Sequence, residues 1–256
     1  MCGSASFASP TRQAGPSPRL TVVTVAYNSA PTIEQTILSV AAQTASGVEY
    51  VVVDGGSEDG TMDVVRRHAK HIQRWTSEPD TGIYDAMNKG IAMARGDWLL
   101  FLNSDDYFSD AGSLDRLLMA ADASVSIVAG RTLIKYAERE RLFRPARRFG
   151  LELQLPFMHP STMVRRSAFE SCGYFDTRYR LAADCDLFLR MISRGHRYRC
   201  IGEVVTVMRD GGASQRGFVR GRIEYMQAYQ RNMRDPLGAF LGFGASMAMH
   251  MRAKLR

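Results

Sequence analysis

Between residues 20 and 102 the chain alternates short, unbroken apolar runs with longer amphipathic stretches. Leu20–Ala26 (LTVVTVA), Val48–Asp54 (VEYVVVD) and Trp98–Leu102 (WLLFL) are apolar or β-branched almost throughout, and Ile72–Ser77 is a weaker fourth run. Pro31–Gln43, Thr61–His71 and Tyr84–Ala94 lie between them and carry helical spacing. Continuous apolar strands alternating with helices predict a parallel sheet covered on both faces, an α/β fold. In the third helix, Ile83, Met87, Ile91 and Ala94 form the expected buried stripe. Asp85 and Lys89 share another face at a spacing that permits an ion pair.

The second half is less regular. Val125–Ile134 and Arg141–Phe149 read as strands, Leu155–Arg165 as a buried segment around His159, and Ala183–Ser193 as a helix. Arg197–Met208 reads as two short strands, and helical, basic sequence follows Ser214. Residues 1–18, rich in Ser, Pro, Gly and Ala, read as a disordered leader with little to bury. The expected domain therefore spans 19–214, with 215–256 as a basic helical extension.

Composition adds exclusions. The 256 residues are 45% hydrophobic and 23% charged, a globular mixture, and no run is long enough for a membrane span. Four cysteines without CxxC spacing disfavour a zinc ribbon or a disulfide framework, and with no signal peptide the expected location is cytoplasmic. Of the net charge of +7, most belongs to the region after Met208, which holds nine Lys or Arg against three acids. The body gives no reason to expect nucleic acid. The sequence 236–256 (PLGAFLGFGASMAMHMRAKLR) is shorter than a span and ends in basic residues. It suits an interfacial helix on anionic lipid, peripheral on the inner face of the cell membrane. Docking on the domain or on a second copy in a homodimer fits equally.

In a parallel sheet, ligands bind beyond the carboxyl ends of the strands. Those ends carry Asn28, Asp54, Glu78 with Asp80, and Asn103-Ser104-Asp105-Asp106. Each alone is better explained by a turn or a helix cap; four on one edge make a ligand site the better reading. Adjacent carboxylates at Asp105 and Asp106 suit a hard divalent cation, which can hold a diphosphate. Asp54-Gly55-Gly56 lets backbone approach a ligand but is not GxGxxG, which disfavours a dinucleotide. His68 and His71 lack a third ligand, and Cys185 is most simply a packing residue.

VTVAYNS, VVVDGGSEDGT, SEPDTGIYDAMNKGIAMARGDWLLFLNSDD and LAADCDLFLR, in that order, resemble the inverting glycosyltransferases of family 2, which have the GT-A fold. EPDTGIYDAMNKGI is similar to the subgroup that builds bacterial exopolysaccharides of the colanic-acid type. The resemblance implies a UDP- or GDP-linked sugar donor, Mn2+ or Mg2+, and a glycan or polyprenyl-diphosphate-linked acceptor. It implies that Asp54 contacts the nucleobase, with Ala26 and Asn28 lining the same pocket. Asp80 would lie near the ribose or diphosphate and Lys89 near the diphosphate or sugar. Asp105, assisted by Asp106 and flanked by Ser104, would be the metal ligand of a DxD motif whose first position is the neutral Asn103. Asp184 would be the general base, in preference to Asp186, which can pair with Arg190. His159 would touch the acceptor or diphosphate, or else be a hydrogen-bonded core histidine. Arg209 would add positive charge to a segment closing over the diphosphate. A nucleotidyltransferase would need a Gly-rich, basic triphosphate loop that AYNSAPTIEQT lacks. A catalytically silent nucleotide-sugar-binding module finds its best support in Asn103.

Overall fold

The computed structural model describes residues 18–145, 157–209 and 217–233. The expected leader (beyond Pro18), part of the strand expected at Arg141–Phe149, the segment after Arg209 and the tail 236–256 fall outside the described residues. The parallel half runs β1 (Leu20–Ala26), α1 (Ile33–Ala41), β2 (Val48–Asp54), α2 (Thr61–Arg67), β3 (Arg74–Ser77), α3 (Ile83–Met93) and β4 (Trp98–Phe101). Then come β5 (Tyr107–Phe108), α4 (Ser113–Met119), β6 (Ile127–Lys135), β7 (Glu140–Phe143), β8 (Thr162–Arg165), α5 (Arg166–Cys172), α6 (Ala183–Ser193), β9 (Tyr198–Arg209) and α7 (Phe218–Met233).

The nine-stranded sheet has the order β3-β2-β1-β4-β8-β6-β9-β5, with β7 beside β6. Strands β1 to β4 are mutually parallel, and β8 then enters antiparallel to both β4 and β6. Alternate side chains of the central strands feed two cores. Val23, Val25, Val51, Val53 and Leu99 pack with α3, α5, α6 and α7, while Val22, Val52 and Leu100 pack with α1, α2 and α4. Each fully buried Val, Leu or Ile contributes roughly 1.5–3 kcal/mol relative to exposure. Both faces are covered, as continuous apolar strands require.

Three local expectations are corrected. Ile83 is 38% exposed and Tyr84 buried, because α3 is turned so that Tyr84, Met87 and Ile91 face the sheet. The helix also lies close to β1: a Cβ on Gly90 would stand 2.4 Å from Val23 Cγ1, so only glycine fits there. The two short strands expected over Arg197–Met208 are one, β9, whose pairing with β6 shifts register at residues 129–132, a bulge instead of a break. Helices α4 and α5 are not among the expected elements, although Leu114, Leu117 and Leu118 in α4 are buried at helical spacing. Among the described residues, no helix is long and apolar enough to cross a membrane.

Candidate active site

The carboxyl ends of β1 to β4 form one edge. Asp54 ends β2 with no exposed surface, and its Oδ2 accepts from the backbone N–H of Gly56 (3.1 Å) and Ser57 (2.9 Å) and from Ser77 Oγ (2.7 Å). Ser57 Oγ donates to the other oxygen. Asp54 thus organises the Gly55–Ser57 loop. Asn28 sits at φ 47°, a left-handed conformation that Asn tolerates better than most residues. It joins the first two loops, donating from its backbone N–H to Ser57 Oγ (2.8 Å) and accepting at Oδ1 from the Glu58 N–H (3.1 Å). Ala26, buried beside Asp54, accepts at its carbonyl from Gly55 N–H (2.8 Å). Asp80 leans over Gly55, where a Cβ would stand 2.4 Å from its Oδ2, and accepts from Gly82 N–H (2.8 Å). The expected Asp85–Lys89 pair is replaced. Asp85 accepts from Thr81 N–H (3.0 Å), and Lys89 binds Glu78 (3.0 Å) and the Pro79 carbonyl (2.9 Å), bracing the loop that carries Asp80.

After β4, Ser104 Oγ donates to Ser29 Oγ (2.7 Å), tying this segment to the first loop. Asp105 is partly exposed. Asp106 is 2% exposed; its burial and the neighbouring Asp105 charge push its carboxyl well above the usual carboxylate range. Asp106 Oδ2 is buried without a hydrogen-bond partner among the described residues. A cation bound beside Asp105 would reverse that penalty. No group of three or more His, Cys, Asp or Glu gathers as a metal cage among the described residues. A cation held by Asp105 and Asp106 alone would need its remaining ligands from phosphate and water. Arg209, at the end of β9, lies over the Tyr107 ring (5.8 Å) and donates to Gln35 Oε1, and its charge reaches Asp106.

A second group of residues is built on α6. Asp184, in its first turn, is 16% exposed, and Tyr84 and His159 reach it from two other segments of the chain. Tyr84 Oη on α3 donates to Oδ1 (3.0 Å), and His159 Nδ1 lies 3.3 Å from Oδ2. Burial works against the charged form and is the largest influence, yet the bond and charge of His159, helped by Tyr84, outweigh it and hold the carboxyl below its ordinary value. Burial and the Asp184 charge raise Tyr84 and Cys185, so both keep their protons. The His159 ring continues to Asn103, whose Nδ2 lies 3.3 Å from its Nε2. His159 thereby bridges the DxD-like segment and Asp184. Asp186, by contrast, is fully buried and bonded to Arg190 Nε (2.8 Å) and Asn232 Nδ2 (2.9 Å), which gives it a structural role in docking α7.

Sequence reasoning misses what supports Asp184. In the sequence, Tyr84 is a helix-face residue with no partner to read. Glu224 on α7 belongs to no motif, yet its Oε2 accepts from the backbone N–H of Arg180 (2.9 Å), Leu181 (2.7 Å) and Ala182 (3.2 Å), fixing the entry to α6. His68 is accounted for by its bond to Glu34 (2.8 Å).

Residues 21–181 match the family model described as Glycosyl transferase family 2. The chain is 33% identical over 184 residues to the PGL/p-HBAD biosynthesis glycosyltransferase of Mycobacterium tuberculosis, covering 69% of this chain and 70% of that one. The uncharacterized glycosyltransferase EpsJ of Bacillus subtilis is 26% identical, with 75% of this chain and 61% of the relative covered. Among solved structures, the mannosyltransferase PcManGT of Pyrobaculum calidifontis, in complex with GDP-Man and Mn2+, aligns with a TM-score of 0.70 at 24% identity, over 96% of this chain and 72% of that one. S. aureus TarS aligns at 0.66 and 17% identity, over 84% of this chain but only 40% of its own length. Fold and relatives define an enzyme of the glycosyltransferase class with the GT-A fold. The chain belongs to glycosyl transferase family 2.

Proposed function

We propose that this protein is an inverting, metal-dependent glycosyltransferase that moves a sugar from a UDP- or GDP-linked donor to a hydroxyl of a glycan or polyprenyl-diphosphate-linked acceptor, in bacterial surface polysaccharide synthesis. The observation that carries the reading is Asp184: a sheltered carboxylate, kept ionised, across one imidazole from the Asn103–Asp106 segment. The acceptor oxygen attacks the anomeric carbon as the bond to the nucleoside diphosphate breaks, and Asp184 takes the proton the attacking oxygen sheds. Inversion needs base and leaving group on opposite sides of the sugar, so this reading puts the acceptor on the Asp184 side and the departing diphosphate on the Asp105 side.

On the donor side, the Asp54-organised loop and Asn28 offer a nucleotide site, and Asp80 stands over Gly55 where ribose or diphosphate would pass. Asp105 and Asp106 would hold Mn2+ or Mg2+, which neutralises charge on the departing diphosphate. Arg209 adds positive charge beside them. A thermal-shift screen of UDP and GDP with and without Mn2+ names the nucleotide, because ligand binding stabilises by mass action. Release of nucleoside diphosphate from the matching sugar donor then tests catalysis; binding without any turnover would favour the silent binding module. The basic tail supports an acceptor presented at a lipid surface. Sedimentation with anionic vesicles, lost on removing residues 236–256 and weakened by salt, is the expected result.

A further inference from the structure

We propose that Arg222 and Tyr225 of α7 form an anion subsite beside the Asp184 segment, which takes an oxyanion, phosphate or carboxylate, carried by the acceptor. Giving that anion to the acceptor rests on Asp184 being the base. Phe218, Arg222, Tyr225 and Tyr229 recur at four, three and four residues along α7 and so share one face. That face is turned to the domain: Tyr225 and Tyr229 are buried in one core with Ala183 and Leu187 of α6. Arg222 is half-buried in this stripe, where an apolar side chain is the ordinary occupant. Glu224 clamps α7 to the backbone of residues 180–182, and a Cβ on Gly221 would stand 3.7 Å from Leu181 Cβ. The clamp brings Arg222 within electrostatic reach of Cys185, the residue after Asp184, and of Tyr225.

Two polar groups on this face lack a partner. The neighbouring arginines all have acids: Arg220 pairs with Glu224 (2.9 Å), Arg231 with Asp176 (3.1 Å) and Arg190 with Asp186 (2.8 Å). Arg222 meets no carboxylate among the described residues; its guanidinium lies over the Phe218 ring, 5.2 Å from the centroid. Burial without a counter-ion pulls it below its ordinary value, although an arginine stays charged. Cys185 keeps its proton and cannot balance the charge, and Asp184 is turned to Tyr84 and His159. Tyr225 Oη is buried with no hydrogen-bond partner among the described residues. A buried donor left unpaired is costly, and such a group in a folded protein calls for a partner from outside the chain. One oxyanion satisfies both groups, accepting from the forked guanidinium N–H groups and from the tyrosine O–H. Held there, it anchors the molecule whose hydroxyl Asp184 deprotonates.

The test uses the full-length protein labelled with 13C at tyrosine Cζ, the Tyr225 signal being assigned by its loss in Tyr225→Phe. Inorganic phosphate, methyl phosphate and acetate are titrated separately, with sodium chloride at matched ionic strength as control. The expected result is a saturable Tyr225 shift that chloride does not produce. Its apparent affinity should fall about 10-fold or more in Arg222→Gln and in Arg222→Met, which keeps an apolar stem on Phe218, the scale of a lost charged hydrogen bond. A stronger response to methyl phosphate assigns a phosphate-bearing acceptor, and a stronger one to acetate a carboxylate-bearing glycan. No saturable shift in the wild type overturns the proposal even if every variant fails to fold, and so does wild-type affinity in either folded Arg222 variant. Repeating the titration with UDP and Mg2+ and with GDP and Mg2+ should leave the response in place. If nucleotide abolishes it, the donor's own diphosphate fills the site and the acceptor assignment is overturned. Asp184→Asn should lose turnover of the sugar donor and keep the Tyr225 response. If it keeps turnover, the base assignment falls, and the acceptor assignment with it, while the anion subsite is still judged by Tyr225.

Discussion

The strand-end edge and the α6 edge of the site hold their carboxylates by different means. On the strand-end edge the bonds are mostly local: Asp54 is held by Gly56, Ser57 and Ser77, and Asp80 by Gly82. On the α6 edge they come from afar. Asp184 is bonded to Tyr84, 100 residues earlier, and to His159, while Glu224 of α7 ties down the backbone just before it. At the strand-end edge Asp54 and Asp80 lean mainly on their own loops, and Asn28 and Ser104 join those loops to one another. The α6 edge exists only once α3, α6 and α7 have docked on one core, with Tyr84, Leu187 and Tyr225 buried in it. Nucleotide binding and sugar transfer should therefore be separable by mutation.

The largest expected effect breaks the α6 edge alone. Asp184→Asn keeps size and removes proton affinity, so turnover should fall by roughly 10²–10⁴ while nucleotide binding, read by thermal shift, stays near wild type. Loss of nucleotide binding in this variant would merge the two edges into one site. Next, Asp105→Ala strikes the opposite edge. It should abolish the Mn2+-dependent part of donor binding and cost on the order of 10²-fold in turnover, the scale of a cation's charge stabilisation. Asp105→Ala with wild-type turnover would remove the metal from the reading.

The same contrast explains what is legible in the sequence. The parallel half is legible because strand, loop and helix follow one another within each unit: Asp54 and Gly55–Ser57 are adjacent in the chain and in space. Asp184 is legible only through the LAADCDLFLR motif. Its supports are not, because nothing local in Tyr84, Asn103 or Glu224 records a partner on another element. By sequence Asn103 is a weakened ligand; its bond to His159 gives it a donor's role. Helix α3 is readable in type but not in rotation, since Ile83 and Tyr84 are both apolar enough to fill the stripe and the docking of Phe175 against Tyr84 decides between them.

A smaller effect sharpens the comparison through α7. Glu224 is 6% exposed, and Arg220 donates to its second oxygen at 2.9 Å. Glu224→Gln removes the charge that three backbone N–H groups and Arg220 share, at a cost of about 1.5–3 kcal/mol, the worth of a hydrogen bond to a charged group. The melting temperature and turnover should both fall, with nucleotide affinity per folded molecule unchanged. An equal loss of nucleotide affinity would mean that α7 supports both edges.

The smallest expected effect concerns acid stability, and its sign tests whether Asp184 is charged. In the folded protein, burial raises the carboxyl, while His159 and Tyr84 lower it by more, so the folded value lies below the unfolded one. A carboxyl with a depressed folded value contributes stability that is fully present above the unfolded value of ~3.9 and is lost as pH falls through the folded value. Tyr84 and Cys185 are pushed upward and do not titrate in that window. The remaining carboxylates titrate alike in wild type and Asp184→Asn, so the difference between the two proteins reports Asp184 together with its contact to His159. Urea midpoints of both, compared at pH 7, 5, 4 and 3, should show the wild type ahead at neutral pH and the gap closing below about pH 4. A gap that widens in acid would mean that burial wins and Asp184 is protonated in the folded enzyme. A protonated carboxyl cannot take the acceptor's proton, so that one result would also overturn the base assignment.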